Sequence, residues 1–323
     1  MMDLKDIYDE RGWISRDPGV ISYLTDLVQN TSSIKEDVEE IVPCEQSTGA
    51  GGGFHFSGIH SRFRTPVLIK IGVNANELYW MQMIHEHASD LSPVLHASGN
   101  TLGSLEMGWT VVEQIDCKGM GPEWKGDEFT MLLDAAVRFQ KFSRDIEPQY
   151  FGMFHLGMLQ DWFSQTLKCD PPGPVESLRE RIKRDFEWIS SVCPFEICHG
   201  DIQMLNGLVR TKPPEKSPVL LIDCQPMLQP WAFDAGYLQV INSIDKKRAG
   251  YKDLITKMND IRRSYSLETC LTQDLEKLSK IILAWFAVRQ WRRKPTWPDW
   301  FLEKYPDYIE ETKRYIEEGL ETS

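Results

Sequence analysis

Near residue 120 the apolar pattern of this chain changes from the alternation of strands to the repeat of helices, and that switch restricts it to folds that segregate sheet from helices. Short β-type runs at 40–44, 66–71 and 109–115 are separated by turns and by one helical stretch from about residue 76 to 87. From Asp127 onward the spacing is helical, with Phe129, Leu132, Leu133, Ala136, Val137 and Phe139 in 127–143, and Leu178, Ile182, Phe186 and Ile189 in 175–192. Val20, Tyr23, Leu24 and Leu27 predict one or two capping helices within 1–40. Further helices are predicted over 251–265 and 271–292, with a charged tail helix after a Trp- and Pro-rich break at 295–300. A chain of 323 residues is long for one core, so the reading is α+β and bilobal: a helical segment over 1–40, a small β-rich lobe over 41–115 and a larger, mainly helical lobe over 116–323.

Composition narrows the class. Hydrophobic residues at 41% and charged residues at 26% describe a folded globular protein. A net charge of -12 argues against nucleic-acid binding, which needs a basic surface, while leaving room for a nucleotide held by a few cations and backbone amides. The seven cysteines, Cys44, Cys117, Cys169, Cys193, Cys198, Cys224 and Cys270, never fall in CxxC spacing, so neither a zinc site nor a disulfide framework is expected. The opening MMDLKDIYDERGW has no signal-peptide pattern, and no run of 18 apolar residues occurs. The expectation is a cytoplasmic, reduced protein with no membrane segment.

The helical region is interrupted by short strand-like runs at 196–198, 207–209 and 219–222, and these flank the most specific motif. His199-Gly200-Asp201-Ile202-Gln203-Met204-Leu205-Asn206 has the form HxD-x(4)-N. Phosphoryl transfer needs a carboxylate to take or orient a hydroxyl proton and a neutral oxygen ligand for magnesium; five residues on a tight loop can aim both at one point. Seventeen residues further on, the apolar run Val219-Leu220-Leu221-Ile222 ends in Asp223, the expected second magnesium ligand. Asp201 is therefore the candidate base and Asn206 and Asp223 the metal ligands, with His199 stabilising the loop through hydrogen bonds.

The β-rich lobe should supply the nucleotide half. Ser47-Thr48-Gly49-Ala50-Gly51-Gly52-Gly53 lets backbone amides approach phosphate oxygens, although it is neither a GxxxxGK[ST] loop nor a regular GxGxxG. A plain flexible hairpin is the alternative there. Lys70 ends the apolar run Val67-Leu68-Ile69 and is the candidate partner of the ATP phosphates. Glu77 and Glu86 compete to hold it, and Glu77 is preferred because it opens the following helix. Thr110-Val111-Val112-Glu113-Gln114-Ile115 fits a hinge whose backbone, at Glu113 and Ile115, would meet adenine.

In this order, from Ser47 to about Tyr237, the chain resembles the superfamily of aminoglycoside phosphotransferases and choline kinase, small-molecule relatives of protein kinases. The resemblance implies a protein-kinase-like fold, ATP and Mg2+ as cofactors, and transfer of the ATP γ-phosphoryl group to a hydroxyl of a small acceptor such as an aminoglycoside, amino alcohol, sugar or specialised metabolite. It also implies that Asp234, in Phe233-Asp234-Ala235-Gly236-Tyr237, braces the catalytic loop. Gly200 stands where protein kinases carry Arg, Cys224-Gln225 follows Asp223 in place of Phe-Gly, and no APE-type segment is present, so a small acceptor is favoured over a protein. Two alternatives stay open: a catalytically weak kinase-like binding protein and a protein kinase.

For the acceptor the candidates are Asp245 and the aromatics Trp285, Phe286, Trp291, Trp297, Trp300 and Phe301, which can stack on rings or hold an ammonium group. Packing between helices is the competing role for these aromatics.

Overall fold

The computed structural model of the protein describes residues 4–9, 13–44, 53–115, 128–146, 188–210, 218–243, 252–293 and 299–322. The glycine-rich residues Ser47, Thr48, Gly49, Gly51 and Gly52, together with Asp245 and Trp297, lie outside them, as do the side chains of Trp300 and Phe301. The chain divides into two compact units, one made of Met1–Cys117 and Val209–Cys224, the other of Lys118–Leu208 and Gln225–Ser323.

The first unit opens with the short helix α1 (Leu4–Ile7) and then α2 (Pro18–Asn30). Asp17 caps α2 by accepting from the Gly19 and Val20 amides, and Pro18 fits its first turn, where no N–H is needed. Val20, Leu24 and Val28 fall on one face and are buried. After α3 (Ser32–Lys35) come β1 (Val38–Pro43), β2 (Phe54–His60), β3 (Pro66–Val73), helix α4 (Ala75–His87), β4 (Leu95–Gly99) and β5 (Gly108–Glu113). The strands form an antiparallel sheet in the order β1-β2-β3-β5-β4.

Alternation decides what each face carries. Phe54 and Phe56 of β2 and Val67, Ile69 and Ile71 of β3 are buried in one core with Leu24, Val28, Ile34, Trp109 and Val111. The intervening residues, among them His55 and Lys70, emerge on the opposite face. The segment Val209–Cys224 joins this unit through β8 (Leu220–Leu221): the Leu221 amide donates to the Leu91 carbonyl at 2.7 Å, and Arg210 pairs with Glu113 at 2.7 Å.

The second unit holds α5 (Glu128–Asp145), β6 (Phe195–Cys198), a 3-10 turn (Met204–Asn206), β7 (Gly207–Leu208) and β9 (Met227–Pro230). Helices α6 (Phe233–Asn242), α7 (Leu254–Ser264), α8 (Thr272–Arg293), α9 (Asp299–Lys304) and α10 (Pro306–Glu321) complete it. β6 and β9 pair antiparallel, Cys198 opposite Met227. Behind β6 lies the fully buried Arg262, which donates to Gln140 Oε1 at 2.5 Å, Glu196 Oε1 at 3.0 Å and the Glu268 carbonyl at 2.9 Å, and stacks over the Trp231 ring. A buried cation with an acceptor at each of its three nitrogens ties α5, β6 and α7 together. Among the described residues no helix is long and apolar enough to cross a membrane.

Candidate active site

In the first unit the chemistry gathers on the sheet face away from the core. Lys70 Nζ lies 2.6 Å from Glu77 Oε1 and 2.5 Å from Asp223 Oδ1. Glu77 is delivered by the start of α4, whose N-cap Asn74 accepts from the Glu77 amide at 2.9 Å. Glu86, the other candidate for Lys70, is exposed beside His87. Burial alone would weaken the Lys70 charge, but Glu77 and Asp223 together outweigh it and hold the ammonium above its ordinary pKa. The Glu77 carboxyl is raised because burial exceeds the pull of Lys70. Asp223 follows β8 with φ of +52°, a left-handed backbone that Asp tolerates better than most residues.

His55 was not anticipated. It stands across from Lys70 in the β2–β3 ladder, and burial followed by the Lys70 charge lowers its pKa to about 4, so it is a neutral imidazole. Only a register shared with Lys70 could have pointed to it, and β2 carries no motif.

Glu113 is fixed at the end of β5. Its amide donates to the Val94 carbonyl at 2.8 Å, and its carboxylate takes Arg210 and the Val94 amide, so both its backbone donor and its side chain serve the sheet. The Gln114 amide likewise donates to the Pro66 carbonyl. The Glu113 side chain is thus a brace; Ile115 lies just past the strand, half-buried.

The second unit presents the HGD loop. Asp234 at the start of α6 accepts from the His199 amide at 3.0 Å and the Gly200 amide at 3.1 Å. Burial pushes the Asp234 carboxyl up to about 6, against the pull of those amides and of Gln140. His199 Nδ1 lies 3.4 Å from the Asp201 amide. Gly200 has φ of +84°, and a Cβ there would run into the Gln225 carbonyl oxygen. Glycine is therefore a backbone requirement of this loop.

These restraints aim Asp201. Its Oδ2 accepts from Gln203 Nε2 and Asn206 Nδ2, each at 3.0 Å, and its Oδ1 from the Tyr237 hydroxyl at 2.6 Å. Because Asn206 engages Asp201 through its NH2, the amide oxygen is the atom suited to a cation. Gln203 sits inside the motif, whereas Tyr237 lies one helical turn beyond Asp234 and carries no signal of its own.

Trp285 corrects an expectation. It is 1% exposed and packs edge-on against Phe233 at 5.0 Å, with Phe286 on the same ring, so these aromatics join α8 to α6 instead of lining an acceptor surface. Trp291, two turns nearer the end of α8, is half-buried.

No protein-family model matches the chain, and no curated protein does. Solved structures do. A Ralstonia eutropha JMP134 protein, whose assignment as an aminoglycoside phosphotransferase is itself inferred, superposes with a TM-score of 0.59 at 11% identity over 94% of this chain and 96% of its own. A thermostable mutant of aminoglycoside phosphotransferase APH(4)-Ia gives 0.52 at 12% identity over 92% and 100%. Plasmodium vivax ethanolamine kinase gives 0.50 at 11% identity over 94% and 92%. With its five-stranded antiparallel sheet and its mainly helical second unit, this chain has the α+β, protein-kinase-like fold of the aminoglycoside phosphotransferases and ethanolamine kinase.

Proposed function

We propose that the protein is an ATP-dependent phosphotransferase acting on a hydroxyl group of a small molecule. The observation that carries this reading is Asp201, a carboxylate held from three sides on a tight loop beside Asn206, as a base serving a hydroxyl needs to be. The Lys70–Glu77 pair supports it, since a lysine fixed by a carboxylate is the usual partner of ATP phosphates in this fold. The fold shared with an ethanolamine kinase and an aminoglycoside phosphotransferase agrees with it.

In the proposed reaction the acceptor oxygen bonds to the γ-phosphorus while its proton passes to Asp201. The bond from the γ-phosphorus to the bridging oxygen breaks, and its electron pair leaves with ADP. Lys70 orients the phosphates, and Glu77 keeps Lys70 in place. The Asp223 carboxylate and the Asn206 amide oxygen are hard oxygen donors of the type magnesium takes, and they are assigned to hold it. Magnesium, when bound, supplies neutralisation of the charge that develops on the phosphate oxygens. Asp234 keeps the loop in shape without touching the reactants.

An ADP-release screen with ATP and magnesium across a library of aminoglycosides, amino alcohols, sugars and specialised metabolites tests the reading. Acceptor-dependent ADP release that disappears in Asp201→Asn is expected. Release confined to protein acceptors, or none with any hydroxylated compound, would overturn it.

A further inference from the structure

The partners of Asp201 divide unequally between its two oxygens. Oδ2 accepts from two amide groups, Gln203 and Asn206, whereas Oδ1 accepts from the Tyr237 hydroxyl at 2.6 Å. A carboxylate oxygen offers two lone-pair directions, so these contacts fill Oδ2 and leave Oδ1 one direction for a further donor. A hydroxyl that approaches this carboxylate therefore meets Oδ1, and meets it beside the Tyr237 oxygen.

Tyr237 is built to stay where it is. Its ring packs on Phe286 at 5.7 Å, and Phe286 packs on Phe233 at 5.5 Å. Its neighbour Gly236 lets α6 lie so close to Ile282 of α8 that a Cβ at that position would overlap the isoleucine. Phe233, Gly236 and Phe286 are buried, while Tyr237 is half-exposed, so the hydroxyl is carried on a fixed framework at the edge of the core.

We propose that Tyr237 is a positioning residue for phosphoryl transfer: its hydroxyl fixes Asp201 so that Oδ1 is the oxygen that takes the acceptor's proton. This role rests on the kinase reading above. The acceptor oxygen approaches within reach of both Oδ1 and the phenol, and the phenol keeps its own proton throughout. Asp201 and Asn206 belong to the loop motif, but the side chain that orients the base comes from α6, 36 residues away.

The test compares the full-length parent with Tyr237→Phe and with mono- and difluorotyrosine placed at position 237, using the best acceptor from the ADP-release screen, below the pKa of the substituted phenols. Tyr237→Phe should lower kcat by about tenfold to hundredfold, the loss expected for one hydrogen bond to a charged group, with KM for ATP within about twofold of the parent. Fluorination strengthens the phenol as a donor and weakens the base it touches, so kcat should fall in order of phenol acidity. The fluorinated proteins keep the hydroxyl and nearly the same volume, and they decide the matter if Tyr237→Phe does not fold. A Tyr237→Phe kcat within about twofold of an active parent overturns the role of Tyr237 alone, as does a flat fluorotyrosine series, which marks a packing residue. A parent that transfers phosphate to no hydroxylated acceptor overturns the kinase reading, and this role with it.

Discussion

His55 and Lys70 face each other across the β2–β3 ladder, so an imidazole and an ammonium leave the sheet side by side on the face opposite its apolar core. Burial and the Lys70 charge hold the His55 pKa near 4, whereas in the unfolded chain it titrates at its ordinary 6.5. Between those values the unfolded chain binds the extra proton. Stability is therefore complete above pH 6.5 and is lost as pH falls towards 4, by up to roughly 3 kcal/mol. Urea unfolding of the parent and His55→Gln between pH 7.5 and 4.5 should show their difference changing over this range. A constant difference would remove the histidine from the acid response.

Asp201→Asn and Asp201→Ala should lower kcat by about three or four orders of magnitude, the upper range for a lost general base, while ATP affinity stays near that of the parent. Calorimetry of ATP binding beside turnover assays separates the two. Near-parental turnover in either variant would exclude Asp201 as the base.

Lys70→Ala should reduce kcat by several orders of magnitude, because it removes a preorganised charge and leaves Glu77 without its cation. Glu77→Gln keeps the side-chain shape and should lose about tenfold, an ion pair becoming a hydrogen bond from the ammonium to an uncharged amide oxygen. If the glutamine variant lost as much as Lys70→Ala, Glu77 would have a role of its own beyond holding the lysine.

Asp234→Ala leaves the buried His199 amide and the half-buried Gly200 amide without their acceptor. A loss of about 2–4 kcal/mol in unfolding free energy is expected for two orphaned donors. Chemical denaturation gives the value, and a variant as stable as the parent would mean that the loop holds its shape without this carboxylate.

Asp223→Ala should weaken magnesium-dependent nucleotide binding, while Asp201→Ala leaves it intact. Magnesium titrations of nucleotide affinity check the contrast; curves that match the parent would count against Asp223 as a ligand.

Much of the scaffold was readable because local pattern and tertiary role coincide. α2, β3, α4 and α5 each present one apolar face. β4 was not foreseen, since Leu-His-Ala-Ser-Gly lacks the β-branched residues that signal a strand, and its partner β5 supplies the pairing. β9 was missed for the same reason: Met227–Pro230 becomes a strand only beside β6. The HGD loop was legible because its spacing is short-range chemistry. The Tyr237 contact with Asp201 and the His55 position beside Lys70 were not, since both depend on where distant backbone segments come to lie. Trp285 shows the converse: an aromatic suited by type to stack on a ligand was claimed by the packing of two helices.

The return of Val209–Cys224 to the first unit has a consequence for how this protein can be dissected or inherited. A fragment ending at Cys117 would retain Lys70 and Glu77 but lack Asp223 and Arg210, so its lysine would lose one of two carboxylates and Glu113 its guanidinium. Gene fusion or recombination cannot transplant either unit through a single junction; a functional exchange needs two separate pieces of coding sequence to travel together. Such a chain should diversify by substitution within its own frame more readily than by trading modules.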